Sequence, residues 1–134
     1  MFISANLKNS RDKNEAAVAT EGNEKTIIIP SKANGKGSAV NGGELLFLAI
    51  ATCFCNDIYR EASKRNIDIE SVDVTVTGEF GGEGEPGNNI EYNVSIESKC
   101  PEEKLRDLVN YVDSIAEIHK TIRSGTPVRL SFFK

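Results

Sequence analysis

The sequence is short of most residues that would announce a function by themselves. It holds one histidine, His119, and three cysteines, Cys53, Cys55 and Cys100. An odd and small number of cysteines excludes a disulfide scaffold. One histidine with scattered thiols gives no spaced metal-binding constellation, so neither a metal nor a cofactor is expected. There is no basic excess: 16 Lys+Arg against 20 Asp+Glu leave a net charge of −4. That balance argues against a dedicated nucleic-acid binder, which needs a positive surface to neutralise phosphates. Long apolar runs are missing too. The longest, Leu45 to Cys55, is broken by Thr52 and is well short of a membrane span. The start, Met1-Phe2-Ile3-Ser4-Ala5-Asn6-Leu7-Lys8, lacks a basic region followed by an apolar one, so no signal peptide is expected. The expected setting is the cytoplasm, where thiols stay reduced and a conspicuous cysteine is more often reactive than structural.

What remains is the size of one domain, residues 1–134, with no internal repeat. Hydrophobic residues make up 39% of it, slightly few for a self-sufficient core, so part of the burial is expected from a partner subunit. Short strand-like pieces are predicted at Phe2–Leu7, Ala16–Thr20 and Thr26–Pro30, separated by polar turns at Lys8–Asn14 and Glu21–Asn23. The glycine- and lysine-rich stretch 31–38 reads as flexible.

The clearest helix runs from Glu44 to Arg65, free of glycine and proline, with Asn41 as N-cap and Glu44 completing a capping box. Val40 and Leu45 would form its hydrophobic staple. Its first half, 45–55, is apolar on every side and must be covered on every side. That calls for a central helix wrapped by sheet and by a second subunit. Two alternating strands follow, carrying Val72, Val74 and Val76, then Ile90, Tyr92, Val94 and Ile96 on one face. Their connection, residues 81–88, contains GGxGxxG, but it joins strand to strand and carries two glutamates where a phosphate would sit. A second helix starts at Pro101 with an apolar stripe of Leu105, Leu108, Val109, Val112 and Ile115. A short helical turn with Ile118 and Ile122, closed by Gly125, and a strand at Val128–Phe133 complete the chain.

Cys53 is the most informative residue, set in mid-helix. Its plain reading is a small core hydrophobe. Cys55 lies about 200° around the helix, which excludes a Cys53–Cys55 disulfide and argues against a CxC metal site. Cys100-Pro101 has the look of a reactive pair, but its plain reading is a helix start.

The segment Glu44-Leu45-Leu46-Phe47-Leu48-Ala49-Ile50-Ala51-Thr52-Cys53-Phe54 resembles the ELLxAAxAxCF helix of the OsmC/Ohr family, the osmotically induced and organic hydroperoxide resistance proteins. Residues 65–72, RNIDIESV, are similar to that family's RGIDVEGV passage, and 118–128, IHKTIRSGTPV, to its VHRTLxxGxPV tail. Asn9-Ser10-Arg11-Asp12 resembles its GGRDG turn. The resemblance implies an α+β fold, with antiparallel curved sheets around long central helices in an intertwined homodimer. It also implies thiol peroxidase chemistry at the subunit interface: a cysteine attacks the peroxide, becomes a sulfenic acid and is resolved by a second cysteine. Carried over, Cys53 falls on the attacking cysteine and Arg11 on the arginine that holds its thiolate. The glutamate that positions the arginine falls on Gly43, with Glu44 beside it as the available substitute. The resolving position is Ala116. The expectation is therefore an organic-hydroperoxide reductase working through Cys53 with an external thiol as reductant, or with Cys100 recruited. The alternative is a degenerate dimer binding a small apolar ligand in the inherited pocket.

Overall fold

The computed structural model describes residues 1–131. Its architecture is α+β, with three helices and two antiparallel sheets among the described residues. The chain divides into two compact units, Met1–Leu45 and the part from Leu46 onward.

The first unit is a three-stranded meander of β1 (Ile3–Ser10), β2 (Lys13–Thr20) and β3 (Asn23–Ile27). Its hairpins turn in two residues each, at Arg11-Asp12 and Glu21-Gly22, all four with positive φ. That backbone matches the twist of the flanking strands. The polar turn expected over Lys8–Asn14 therefore narrows to two residues, because strand pairing continues to Ser10 and resumes at Lys13. The third strand lies earlier than expected and ends at Ile27. The stretch 31–38 is ordered rather than flexible. It is closed by a bridge between Ser31 and Ser38 and by backbone bonds from Lys32 to Gly37 and from Gly35 to Lys32. It sits on the first turn: the Asn9 side chain accepts from the Gly37 amide, and a Cβ on Gly35 would fall 1.4 Å from Asp12 Oδ1.

Helix α1 (Gly42–Lys64) opens with the expected capping box: Glu44 accepts from the Asn41 amide at 2.7 Å, and Asn41 accepts from the Glu44 amide at 2.9 Å. Of the apolar run 45–55, Ile50 and Phe54 are buried, whereas Leu48 remains 61% exposed.

In the second unit, α1 packs with the hairpin β4 (Ser71–Phe80)–β5 (Gly87–Glu97) and with α2 (Glu102–Ile115). The register pairs Val72 with Ile96, Val74 with Val94, and Val76 with Tyr92, putting the alternating apolar residues on one face. The core cluster is Phe54, Ile58, Ala62, Leu108 and Val112, with Val72, Val74, Tyr92, Val94 and Ile96 packed against it. The pairing slips between Thr77 and Glu79, where Gly78 admits the Phe47 ring; a Cβ there would meet Phe47 Cζ at 2.6 Å. In the glycine-rich loop, Glu85 Oε2 accepts from the Gly82 amide at 3.0 Å, so a carboxylate already takes that loop's donor. Pro101 flanks α2 rather than opening it. Helix α3 (Glu117–Arg123) follows after Ala116, and Gly125 beyond it has φ 63°. The strand expected at Val128–Phe133 is absent over 128–131, where Val128 and Leu130 are exposed; its last two residues lie outside the described ones. Among the described residues no helix is long and apolar enough to cross a membrane.

Candidate active site

Cys53 stands on α1 one residue before Phe54, which is fully buried in the core. The core contact fixes the rotation of the helix, and the thiol at 53 then lies beside the start of α3, half-buried. Its sulfur is 3.8 Å from Oδ2 of Asp57, one turn further along α1, and 3.9 Å from Oε2 of Glu117, the first residue of α3. Burial pushes the Cys53 thiol up from the ordinary range. The backbone N–H of Ile118 and, more weakly, that of Glu117 pull the other way, while the Asp57 and Glu117 carboxylates add to the rise.

Asp57 is buried. Its other oxygen is held at 2.7 Å by Arg60, which also reaches Glu61 at 3.0 Å. Burial raises the Asp57 carboxyl above the usual range; Arg60 opposes that and Glu117 reinforces it. Glu61, equally buried, is held low by Lys64 and Arg60. Along α1, the Cys53 thiol, the buried Asp57 and Glu61 carboxylates and the more exposed Arg60 guanidinium are thus linked in one polar chain.

A second polar group lies against the same core. His119 is 5% exposed, and its ring meets Tyr92 edge-on at 4.9 Å and Phe54 at 5.6 Å. Neither ring nitrogen has a hydrogen-bond partner among the described residues. Burial, then the Arg123 charge, push its pKa down, leaving the imidazole neutral. Beside it, the Tyr92 hydroxyl donates to Asp113, which Arg123 also binds at 2.7 Å.

The other residues singled out from sequence each have a defined local setting. Arg11 is at the tip of the β1–β2 turn in the first unit, with φ 47°, held in place by Asp12 against Gly35. The Glu44 carboxylate is engaged in the cap of α1, two and a half turns before Cys53 on the same helix. Ala116 is fully buried at the junction of α2 and α3, next to Glu117. All three cysteines are free thiols. Cys55 faces away from Cys53, lining a shallow hollow with Ala51, Thr52, Asn56 and Val74.

Neither Asp57 nor Glu117 belongs to a motif with histidine or cysteine at metal-ligand spacing, so composition alone does not single them out. The i, i+4 spacing of Cys53 and Asp57 was a usable signal, since it places both on one helix face. Glu117 gave none, because its approach to Cys53 depends on the packing of α3.

Comparison with known proteins supports the fold. An OsmC-like protein from Mycoplasma pneumoniae superposes with a TM-score of 0.70 at 16% identity, over 92% of this chain and 88% of that one. The organic hydroperoxide resistance protein OhrB of Bacillus subtilis gives 0.56 at 18% identity, over 92% and 91%. An OsmC-like hydroperoxide resistance protein from Jannaschia gives 0.55 at 16%, over 96% and 87%. No curated protein sequence matches. The sequence model of the OsmC-like proteins matches residues 35–131, the greater part of the chain. The chain belongs to the OsmC-like protein family.

Proposed function

We propose that this protein reduces organic hydroperoxides through Cys53, in a homodimer supplied with electrons by an external thiol. The observation that carries this reading is the setting of the Cys53 sulfur. It is half-buried in the middle of a packed helix, turned toward the Ile118 and Glu117 amides, and within 3.9 Å of two carboxyl groups able to take and give its proton. In the reaction the thiol proton passes to a carboxylate, and the sulfur attacks the outer peroxide oxygen. The O–O bond breaks, and the departing alkoxide takes a proton from the carboxyl as it leaves as the alcohol. The sulfur is left as a sulfenic acid. Asp57, whose carboxyl burial has already raised, is the apt proton carrier.

A cation is still needed to draw the thiol into its anionic form. Arg11 is the proposed cation, presented on a fixed turn, with Glu44 as the neighbouring acid of the family pattern. Ala116 offers no resolving thiol, so an external thiol, present in a reducing cytoplasm, reduces the sulfenic acid in two steps through a mixed disulfide. The proposed dimer has a physical motive. Phe2, Ile3, Leu7, Ile28 and Leu48 are all exposed on the single chain, apolar surface that a partner subunit would cover. Sedimentation should give a dimer at low micromolar concentration, with more than about 2,000 Å² buried in total. A folded monomer would remove that part of the proposal.

The deciding experiment is mass spectrometry of protein treated with cumene hydroperoxide in the presence of a sulfenic-acid trap. The expected result is label on Cys53, formed faster with the organic peroxide than with hydrogen peroxide and slowed by Arg11→Ala. The carboxylates that raise the Cys53 thiol favour one rival, a degenerate dimer holding a small apolar ligand. A thiol inert to both peroxides from neutral to alkaline pH would select that rival.

A further inference from the structure

The Cys53 sulfur, an Asp57 carboxylate oxygen and a Glu117 carboxylate oxygen all lie within 4.8 Å of one another. Four-coordinate zinc(II) holds thiolate sulfur at about 2.3 Å and carboxylate oxygen at about 2.0–2.2 Å, so a tetrahedral sulfur–oxygen edge is about 3.6 Å. The edges here are 3.8 Å to Asp57 Oδ2 and 3.9 Å to Glu117 Oε2, a few tenths longer.

The charges fit as well. A thiolate and two carboxylates carry three negative charges, and Arg60 on Asp57 Oδ1 offsets one of them. The remainder equals the charge of one divalent cation.

A separate observation comes from His119, two residues beyond Glu117. It is buried, with both ring nitrogens unpartnered among the described residues. An unpartnered buried imidazole is costly to keep unless something employs it. One soft sulfur with two hard oxygens suits a cation of borderline softness and disfavours magnesium or calcium.

We propose that Cys53, Asp57 and Glu117 bind one divalent cation of the zinc(II) type, with a fourth coordination position left to water. Binding exchanges the Cys53 thiol proton for a sulfur–metal bond, without redox change, and ties up the electron pair with which the sulfur would attack a peroxide. The binding itself stands apart from the hydroperoxide reading; only the inhibition rests on it.

Cobalt(II) titration of the full-length reduced protein tests this, since thiolate coordination gives a sulfur-to-cobalt charge-transfer band. The expected result is a saturable band at one cobalt per chain, with about one proton released per metal bound. Cys53→Ser should abolish the band, while Cys55→Ser and Cys100→Ser retain it. Asp57→Asn and Glu117→Gln should each weaken binding at least tenfold. Protein alkylated at Cys53 after folding serves as a second control if Cys53→Ser does not fold. A band that survives loss of the Cys53 thiol, no saturable band at all, or affinity indifferent to both carboxylate variants would overturn the proposal. Peroxide labelling of Cys53 measured in chelator reports separately on the hydroperoxide reading. Inertness in chelator sinks that reading and leaves the cobalt result standing.

Discussion

The Cys53 sulfur lies 3.8 Å from Oδ2 of Asp57, while Oδ1 of the same carboxylate is held at 2.7 Å by Arg60. One carboxylate thus faces a thiol on one side and a guanidinium on the other. The thiol feels its negative charge at short range in a partly desolvated place, where Coulomb interactions are strong. Asp57→Asn keeps the shape and removes the charge. Burial is the larger cause of the raised thiol and remains, so the relief is partial. Alkylation of Cys53 by iodoacetamide at neutral pH should speed up severalfold, and the midpoint of its pH profile should move down. An unchanged profile would mean that burial alone sets the thiol, with Asp57 a bystander.

Gly35 holds the turn that presents Arg11. Its φ is 74°, a conformation that favours glycine, and a Cβ would overlap the Asp12 carboxylate. Gly35→Ala should therefore push Asp12 aside and loosen the turn without touching Cys53 chemically. The expected cost in stability is about 1–2 kcal/mol. Peroxide labelling of Cys53 should fall in step with Arg11→Ala, and the double variant should add little. Full labelling in both single variants would remove Arg11 from the proposed reaction.

Parts of this arrangement were open to reading from sequence and parts were not, for identifiable reasons. Asn41 and Glu44 announce a helix start because capping is local, and both hydrogen bonds form. The strand pairs from Val72 and Ile96 inward follow from period-two alternation, which needs one sheet face to be apolar. Residues 31–38 misled because their composition is that of a linker, while their order comes from Gly35 against Asp12, a contact more than twenty residues apart. The stretch after Gly125 has strand-like composition, but pairing is a tertiary fact, and 128–131 are unpaired. At the site, Cys53 was visible through its helix, whereas Glu117 reaches it only through the packing of α3.

Acid should destabilise the fold in two stages. His119 is buried neutral, with its pKa pushed down by burial and then by Arg123. In the unfolded chain an imidazole takes its proton near pH 6.5. Below that, and down to the lower folded value, the unfolded state binds the extra proton. Stability is therefore complete above about pH 6.5 and declines as pH falls through that window. Asp113 acts lower. Hydrogen bonds from Arg123 and Tyr92 hold its carboxylate below the usual range, so its contribution is present above about pH 3.9 and lost as pH falls toward the folded value. Because Asp113 is partly exposed, its stage should be the smaller. His119→Phe, which retains ring contacts with Phe54 and Tyr92, should abolish the first stage and leave the second. Urea midpoints measured from pH 7.5 to 3 show both; a wild-type curve flat down to pH 4 would refute the His119 assignment.

Position 116 provides the most direct test of the thiol chemistry. Ala116 is fully buried between α2 and α3, and the residue after it contributes both a carboxylate 3.9 Å from the Cys53 sulfur and an amide that acts on it. A side chain at 116 therefore starts one residue from the sulfur's immediate surroundings. Disulfide formation needs Cα atoms within about 7 Å and compatible Cβ directions. Ala116→Cys adds one sulfur atom to a packed site, at a cost of about 1–3 kcal/mol, which the folded protein should tolerate. In the wild-type protein, excess peroxide should carry Cys53 past the sulfenic acid to sulfinic acid, a step that ordinary thiols do not reverse. In the variant, the introduced thiol should attack the sulfenic sulfur, expel water and leave a disulfide that dithiothreitol reduces. Mass spectrometry should then show over-oxidation at Cys53 falling severalfold and full recovery of the thiol after reduction. If the wild-type protein instead forms a rapid Cys53–Cys100 bridge, a resolving partner already exists, and the need for an external thiol disappears.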